Sequence, residues 1–121
     1  MNKRSLIIQD DSICRKILLI RDGRCQKCGA TKKLVVSHCF GKKTYPNLRH
    51  DLNNLLLLCN DCHIGWWHKY PTQAWTQFRH RWPDRFDYLM QAKNKIIKLN
   101  EEHYKNKRDE LKAELKQLEE K

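Results

Sequence analysis

The sequence has no long apolar run, no glycine- or serine-rich linker and no internal repeat. A membrane-spanning helix needs about 20 consecutive apolar residues, so that class of protein is excluded. Without linkers or repeats, 121 residues fit one small domain, or one small domain with an appendage. The first apolar stretch covers only residues 6–8, which is too short for a secretory signal peptide. We therefore expect an intracellular protein of the reducing cytoplasm.

Acidic residues are scarce in most of the chain. Residues 1–99 contain 19 Lys and Arg against 7 Asp and Glu, a net charge of +12, whereas residues 100–121 contain 6 against 7. A basic body indicates a polyanionic partner, and nucleic acid is the leading candidate. No basic amphipathic anchor accompanies this charge, so we expect no membrane partner.

Four of the six cysteines form two Cys-x-x-Cys pairs, with 30 residues between the pairs. In a reducing compartment this spacing indicates a zinc site rather than two disulfides. Unpaired or redox-active thiols are the alternative. Four thiolates complete a tetrahedral shell with no open position, so we predict a structural zinc ion that contributes to folding. The predicted ligands are Cys25, Cys28, Cys59 and Cys62. Cys14 and Cys39 are placed outside this shell, and Cys14 is interpreted as a small buried residue.

The hydrophobic pattern predicts a small α+β protein with two strands and several helices. The first predicted element is a short helix over residues 12–22, capped by Asp11 or Ser12. Two strands follow, one over 34–36 that leads into Ser37 and His38, and a buried one over the leucines 55–58. The remaining predicted elements are a two-turn helix from Asp61, a helix from its cap Thr72 to Trp82, and a long helix from Asp84 towards the C-terminus.

The polar residues at the ends of these elements match a known pattern. The segments RDGRCQKCG, VSH, DLNNL and LCNDCH together resemble the HNH nuclease superfamily, also called the ββα-metal or His-Me finger superfamily. Within it, SHCFGKK, LRHDLNN, KYPTQAW and DRFDYL are most similar to the phage lambda NinG/Rap recombination nucleases. Phage endonuclease VII is a looser relative, with two knuckles around a similar site. The resemblance covers residues 12–95.

The resemblance implies both a fold and an activity. Residues 1–82 would form a zinc-stapled HNH nuclease domain with an N-terminal helix, and residues 83–121 a C-terminal helix. The implied activity is hydrolysis of DNA phosphodiester bonds with a divalent cation, Mg²⁺ or Mn²⁺. Branched recombination intermediates such as Holliday junctions would be the substrates, in a bacterial host if the protein is phage-encoded. The alternatives are a non-catalytic zinc-dependent nucleic-acid-binding module and a zinc ribbon for protein interaction.

Three residues acquire roles from the resemblance. His38 would act as general base, for which an imidazole is suited near neutral pH. Asn54 would hold the loop that bears His38. His63 would ligate the divalent cation that contacts the scissile phosphate.

The second ligand of that cation is an open question in the sequence. Many relatives carry an acid or a histidine immediately before the general base, whereas this chain has Ser37, a weak ligand for a hard cation. His68 is a candidate, but it lies five residues beyond His63, about 140° around an ideal α-helix. His68 is therefore expected to be either a ligand or a phosphate contact.

Cationic side chains surround the predicted site. As a group they are expected to contact the DNA backbone, which gives affinity with little sequence information. Individually, each is also explained as a solvated loop residue. The set consists of Lys42, Lys43, Arg49, His50 and Lys69. No familiar DNA-reading helix is present, so we expect recognition of DNA shape.

The C-terminal helix carries an imperfect heptad stripe. Its apolar positions are Ile97, Tyr104, Leu111 and Leu118, with Leu115 in the alternate seam position. A stripe that no other part of the chain covers favours a homodimer through this helix. A solvated helix with a weak apolar stripe is the alternative.

Overall fold

The computed structural model describes residues 2–121 and confirms the α+β class. Within residues 2–121, five α-helices and one antiparallel sheet of two strands form the fold. The elements are α1 (Lys3–Arg21), β1 (Leu34–His38), β2 (Leu55–Cys59), α2 (Asn60–Cys62), α3 (Pro71–Arg81), α4 (Pro83–Ala92) and α5 (Glu101–Glu119). A π-helical turn, His63–His68, continues α2, and two short 3₁₀ turns precede β2.

The two predicted strands are confirmed and form the centre of the fold. Their register pairs Leu34 with Cys59 and His38 with Leu55. Side chains alternate between the faces of a strand, and both faces of β2 are covered. Leu55 and Leu57 pack towards α1. The alternate leucines, Leu56 and Leu58, point to the other face and pack towards the π-helical turn and α3. All five residues of β2 are therefore buried, which explains the unbroken leucine run.

The N-terminal helix is longer than the sequence pattern predicted. Asn2, rather than Asp11 or Ser12, caps α1, and its side chain accepts a hydrogen bond from the backbone N–H of Ser5. Asp10 and Asp11 lie within α1 and do not interrupt it. Asp10 is fully buried, and the carboxylate of Asp11 is bonded by the loop before β2.

The predicted long helix from Asp84 is also wrong, because the chain turns between α4 and α5. The side-chain amide of Asn47 donates to the carbonyls of Ala92, Lys93 and Lys95, at 3.2–3.3 Å, and so holds the end of α4. Asn100 then caps α5 by accepting from the backbone N–H of His103. The preceding helix, α3, starts at Pro71, so Thr72 does not cap it.

This turn returns α5 to the N-terminal helix. Leu111 is buried in one cluster with Ile13 and Ile17 of α1, and Leu115 and Leu118 pack against the same cluster. The apolar stripe is therefore covered within the chain, and the premise that nothing covers it is wrong. The homodimer stays a prediction, but it no longer has the support of an uncovered apolar stripe. The division into two domains at residue 82 also stays a prediction. Among residues 2–121, no helix combines the length and apolar character needed to cross a bilayer.

Candidate functional site

The four predicted zinc ligands lie together at one end of the sheet. The sulfur atoms of Cys25, Cys28, Cys59 and Cys62, here named the cysteine cluster, all lie within 4.8 Å of one another. Within this cluster, the sulfurs of Cys28 and Cys59 are 3.7 Å apart. A disulfide would require about 2.05 Å, whereas sulfurs on a tetrahedral zinc shell are about 3.8 Å apart when Zn–S is 2.3 Å. The cluster can therefore hold a metal ion such as zinc.

Backbone hydrogen bonds shape both halves of this cluster. The N–H of Cys28 points at the sulfur of Cys25, at 3.5 Å, and the N–H of Cys62 points at the sulfur of Cys59, at 3.4 Å. Gly29 adopts a φ of +81°, which a residue with a Cβ rarely does, and donates its N–H to the carbonyl of Cys25. In each Cys-x-x-Cys pair, the backbone thus folds back so that the N–H of the second cysteine meets the sulfur of the first.

Ionisation of the thiols is favoured at one position and opposed at another. Burial acts to raise the pKa of Cys25, but hydrogen bonds from backbone N–H groups outweigh it and lower this pKa to about 6. Burial and the neighbouring thiols raise the pKa of Cys62. A bound dication would remove this increase in the pKa of Cys62, because it offsets the repulsion among four thiolates.

His38 lies at the end of β1, on the side of the sheet that faces α1. Its Nε2 is 3.1 Å from the carbonyl oxygen of Arg49. A carbonyl only accepts hydrogen bonds, so Nε2 carries the proton in the neutral ring and Nδ1 keeps a lone pair. Burial lowers the pKa of His38 to about 4, so the ring is neutral at pH 7 and is a weaker base than the near-neutral imidazole that the sequence suggested. The ring lines a cleft of about 260 Å³ together with Arg15, Lys42 and Arg49.

Asn54 holds the two backbone segments on either side of this histidine. The side chain is fully buried. Its amide donates to the carbonyls of Phe40 and Leu48, at 3.0 and 3.1 Å, and its oxygen accepts from the N–H of Phe40 at 2.8 Å. These three hydrogen bonds use both the donor and the acceptor of the Asn54 amide.

His63 and His68 form a close pair on the π-helical turn. Their Nε2 atoms are 3.1 Å apart, and their ring centroids are 4.4 Å apart. The predicted separation of about 140° assumed α-helical geometry, whereas a π-helix bonds residue i to i+5 and brings residues five apart together. Two imidazoles on one cation have nitrogens about 3.0–3.4 Å apart for metal–nitrogen bonds of 2.0–2.1 Å. The histidine pair can therefore chelate a metal ion.

The structure does not bring His38 into contact with this pair. Among residues 2–121, no hydrogen bond or ring contact joins His38 to His63 or His68. Ser37 lies opposite Leu56, whose cluster includes the tryptophans of the π-helical turn. The hydroxyl of Ser37 and Nδ1 of His63 are buried without a hydrogen-bond partner in the described part of the chain. Of these two neighbouring residues of β1, Ser37 and not His38 therefore faces the cluster that includes the π-helical turn.

Two of the five predicted DNA contacts are engaged elsewhere. The guanidinium of Arg49 bonds the carboxylate of Asp11, and His50 is only 4% exposed and bonds the same carboxylate. Neither side chain is free to meet a phosphate in this conformation. Lys42, Lys43 and Lys69 are exposed and can do so.

Sequence reasoning missed Asp11 and Arg15 as neighbours of His38. Both belong to α1 and line the same cleft. A signal was present for α1 itself, because Leu6, Asp10 and Ile13 continue the helical spacing of the buried face towards the N-terminus. Their position beside His38 depends on how α1 packs, which the sequence does not specify.

The arrangement combines a neutral imidazole with a free Nδ1, a histidine pair suited to a cation, and exposed lysines suited to an anion. Comparisons with protein-family models, with curated proteins and with solved structures found no match.

Proposed function

We propose that the protein is a divalent-metal-dependent endonuclease of the HNH type that hydrolyses DNA phosphodiester bonds. The observation that carries this proposal is the fixation of His38. Its Nε2 donates to the carbonyl of Arg49, and Asn54 holds the adjoining backbone through three hydrogen bonds. The same ring lines a cleft that also contains Arg15, Lys42 and the Arg49–Asp11 pair, so the hydrogen bond from Nε2 leaves Nδ1 as the nitrogen that can accept a proton.

The proposed reaction starts with proton transfer to His38. Nδ1 takes a proton from a water molecule, and the resulting hydroxide attacks phosphorus. A new phosphorus–oxygen bond forms as the bond to the leaving sugar oxygen breaks, and that oxygen is then protonated by solvent. A divalent cation, Mg²⁺ or Mn²⁺, held by His63 and His68 would offset the negative charge that develops on the phosphate and the leaving oxygen.

Charge and shape suggest the substrate class. The excess of basic residues in the first 99 positions and the exposed Lys42, Lys43 and Lys69 favour contact with phosphates. Such contacts carry little sequence information, so selection would depend on DNA shape. Branched intermediates such as Holliday junctions are the substrates that the NinG/Rap resemblance implies, and a dimer would present two sites to two strands.

The decisive test is a cleavage assay on labelled Holliday junction, flap and linear duplex with Mg²⁺ or Mn²⁺. We expect cleavage of at least one branched substrate, loss of cleavage in His38→Ala, and unchanged DNA binding and zinc content in that variant. His80→Ala, which removes an exposed histidine of α3, is the matched control and should cleave normally. Sedimentation of the same protein tests the dimer.

One observation favours a second candidate, the non-catalytic zinc-dependent nucleic-acid-binding module. The position before the general base is the buried Ser37, so the histidine pair lacks a protein ligand from β1. The same assay separates the two candidates. Salt-sensitive binding of DNA or RNA without cleavage of any substrate in either metal would establish the binding module.

A further inference from the structure

The loop before β2 is held from two sides. Asn54 fixes Leu48 from within the loop, through the bond to its carbonyl. Asp11 reaches the next two residues from α1. The carboxylate of Asp11 accepts two hydrogen bonds from the guanidinium of Arg49, at 3.0 and 2.6 Å, and one from Nε2 of His50 at 2.7 Å. Three consecutive loop residues are thereby attached to the rest of the molecule.

The middle residue of these three also contacts His38. The backbone carbonyl of Arg49 accepts the hydrogen bond from Nε2 of His38, while its side chain is bound by Asp11. A bidentate pair between guanidinium and carboxylate fixes orientation as well as distance. Rotation of the Arg49 peptide would therefore have to break the pair with Asp11.

We propose that Asp11 is a positioning residue for His38, which it orients by anchoring Arg49 and His50 so that the Arg49 carbonyl selects the tautomer with a free Nδ1. The proposal rests on the proposed function where it concerns cleavage, and on the contacts alone where it concerns the tautomer. Asp11 acts through Arg49 and does not itself touch the substrate.

Several contacts hold the ring of His50 in place. Its ring is buried between two aspartates of α1, with Nε2 on Asp11 and Nδ1 3.9 Å from the carboxylate of Asp10. Tyr104 of α5 packs edge-on against the same ring, with centroids 5.9 Å apart. Burial acts to raise the pKa of Asp11, but the hydrogen bonds from His50 and Arg49 outweigh it and hold this pKa well below its ordinary value. The anchor is thus an ionised carboxylate near pH 7.

Two readouts test this role, and only one of them requires cleavage. In Asp11→Ala we expect kcat to fall by up to about 100-fold, the scale of a small misplacement of a catalytic group, with KM unchanged. Nitrogen NMR of the His38 ring should show wild-type protein protonated at Nε2 and the variant as a mixture of tautomers. Asp87→Ala, which removes an exposed aspartate of α4, is the control and should change neither readout.

A double-variant cycle separates positioning from general stabilisation. Asp11→Ala, Arg49→Ala and the double variant should lose the same factor in kcat, because all three break one link. Losses that multiply would overturn the proposal. Asp11→Asn keeps the shape of the side chain without its charge, so His38 should remain partly biased towards protonation at Nε2. This variant is measured in place of Asp11→Ala if the alanine variant does not fold.

The two proposals fail in different ways. If wild-type protein cleaves no substrate, the proposed function fails, and the NMR measurement still decides the role of Asp11. An unchanged His38 tautomer in folded Asp11→Ala and Asp11→Asn would refute the positioning role, whether or not the protein cleaves DNA.

Discussion

The cysteine cluster and the histidine pair are two potential metal sites of opposite construction. The cluster has four sulfurs within 4.8 Å, on turns stabilised by their own backbone hydrogen bonds. The pair has two nitrogens at 3.1 Å on a solvent-facing π-helical turn. A complete shell has no open position and suits a structural ion, whereas an incomplete one leaves positions for water and phosphate. In such a fold, the cysteine cluster would serve stability and the histidine pair would serve ligand binding.

The largest expected effect on stability comes from the removal of one sulfur of the cysteine cluster. Cys25→Ser should lose zinc and the folded state, because the apparent binding energy of structural zinc, about 10–16 kcal/mol in small domains, rivals the whole stability of a domain. Circular dichroism and metal analysis after purification measure this. Chelation of the wild-type protein should have the same result.

Cys14→Ala is the matched control for that variant. Cys14 is a buried thiol of α1 outside the cluster, and burial raises its pKa to about 12, so it stays protonated. Its loss should cost only about 1 kcal/mol and leave the zinc content unchanged. A Cys25→Ser protein as stable as Cys14→Ala would contradict a structural metal in the cluster.

The cluster and the strands could be predicted from the sequence because their causes are local. Two Cys-x-x-Cys turns require nothing from the rest of the chain except that they meet. The leucine run before Cys59 fits a buried strand better than a helix, and β2 is such a strand. The role of Asn54 in holding the loop was predictable only through the resemblance.

The second expected effect concerns Asn54. Asn54→Ala removes three hydrogen bonds and leaves the carbonyl of Leu48 with only the N–H of Asp51 as donor, at a cost of about 2–4 kcal/mol. Chemical denaturation measures the free energy of unfolding. Asn53→Ala, at the neighbouring half-exposed asparagine, should stay within about 0.5 kcal/mol. Equal effects at the two positions would show that Asn54 does not hold the loop.

A smaller effect should appear in the pH dependence. The pKa of His38 is lowered by burial from 6.5 to about 4, so the unfolded state binds more protons between these values. His38 therefore contributes stability above pH 6.5 that is lost as pH falls towards 4. The contribution is roughly 1–2 kcal/mol, because the ring is only half-buried.

His38→Gln isolates this contribution from the loss of metal at low pH, which both proteins share. The difference in unfolding free energy between wild type and variant should shrink as pH is lowered from 6.5 to 4. A difference that does not change with pH would show that His38 titrates normally in the folded protein.

The sequence failed where distant packing decides the outcome. The apolar stripe of α5 suggested a dimer, yet Leu111 packs on α1, because the chain turns after Ala92. DNA contact by Arg49 and His50 stays a prediction, but nothing in the sequence indicated that Asp11 bonds both side chains. In each case the partner lies more than 35 residues away and carries no pattern that points to it.

The smallest effect on stability, with a large one on activity, is expected for His68→Ala. The side chain is exposed and contacts His63, so its loss should change the unfolding free energy by less than about 0.5 kcal/mol. Loss of one of two ligands should lower cleavage at limiting Mn²⁺ by at least about tenfold, since even outer partners of a metal site are worth about 10–100-fold. Titration of Mn²⁺ in the cleavage assay measures the shift to higher metal concentration, with His80→Ala as control. An unchanged metal requirement would leave His63 as the sole histidine ligand and make the π-helical pairing irrelevant to function. If the requirement does shift, the incomplete pair is the chemical site, and the contrast with the saturated cysteine cluster holds.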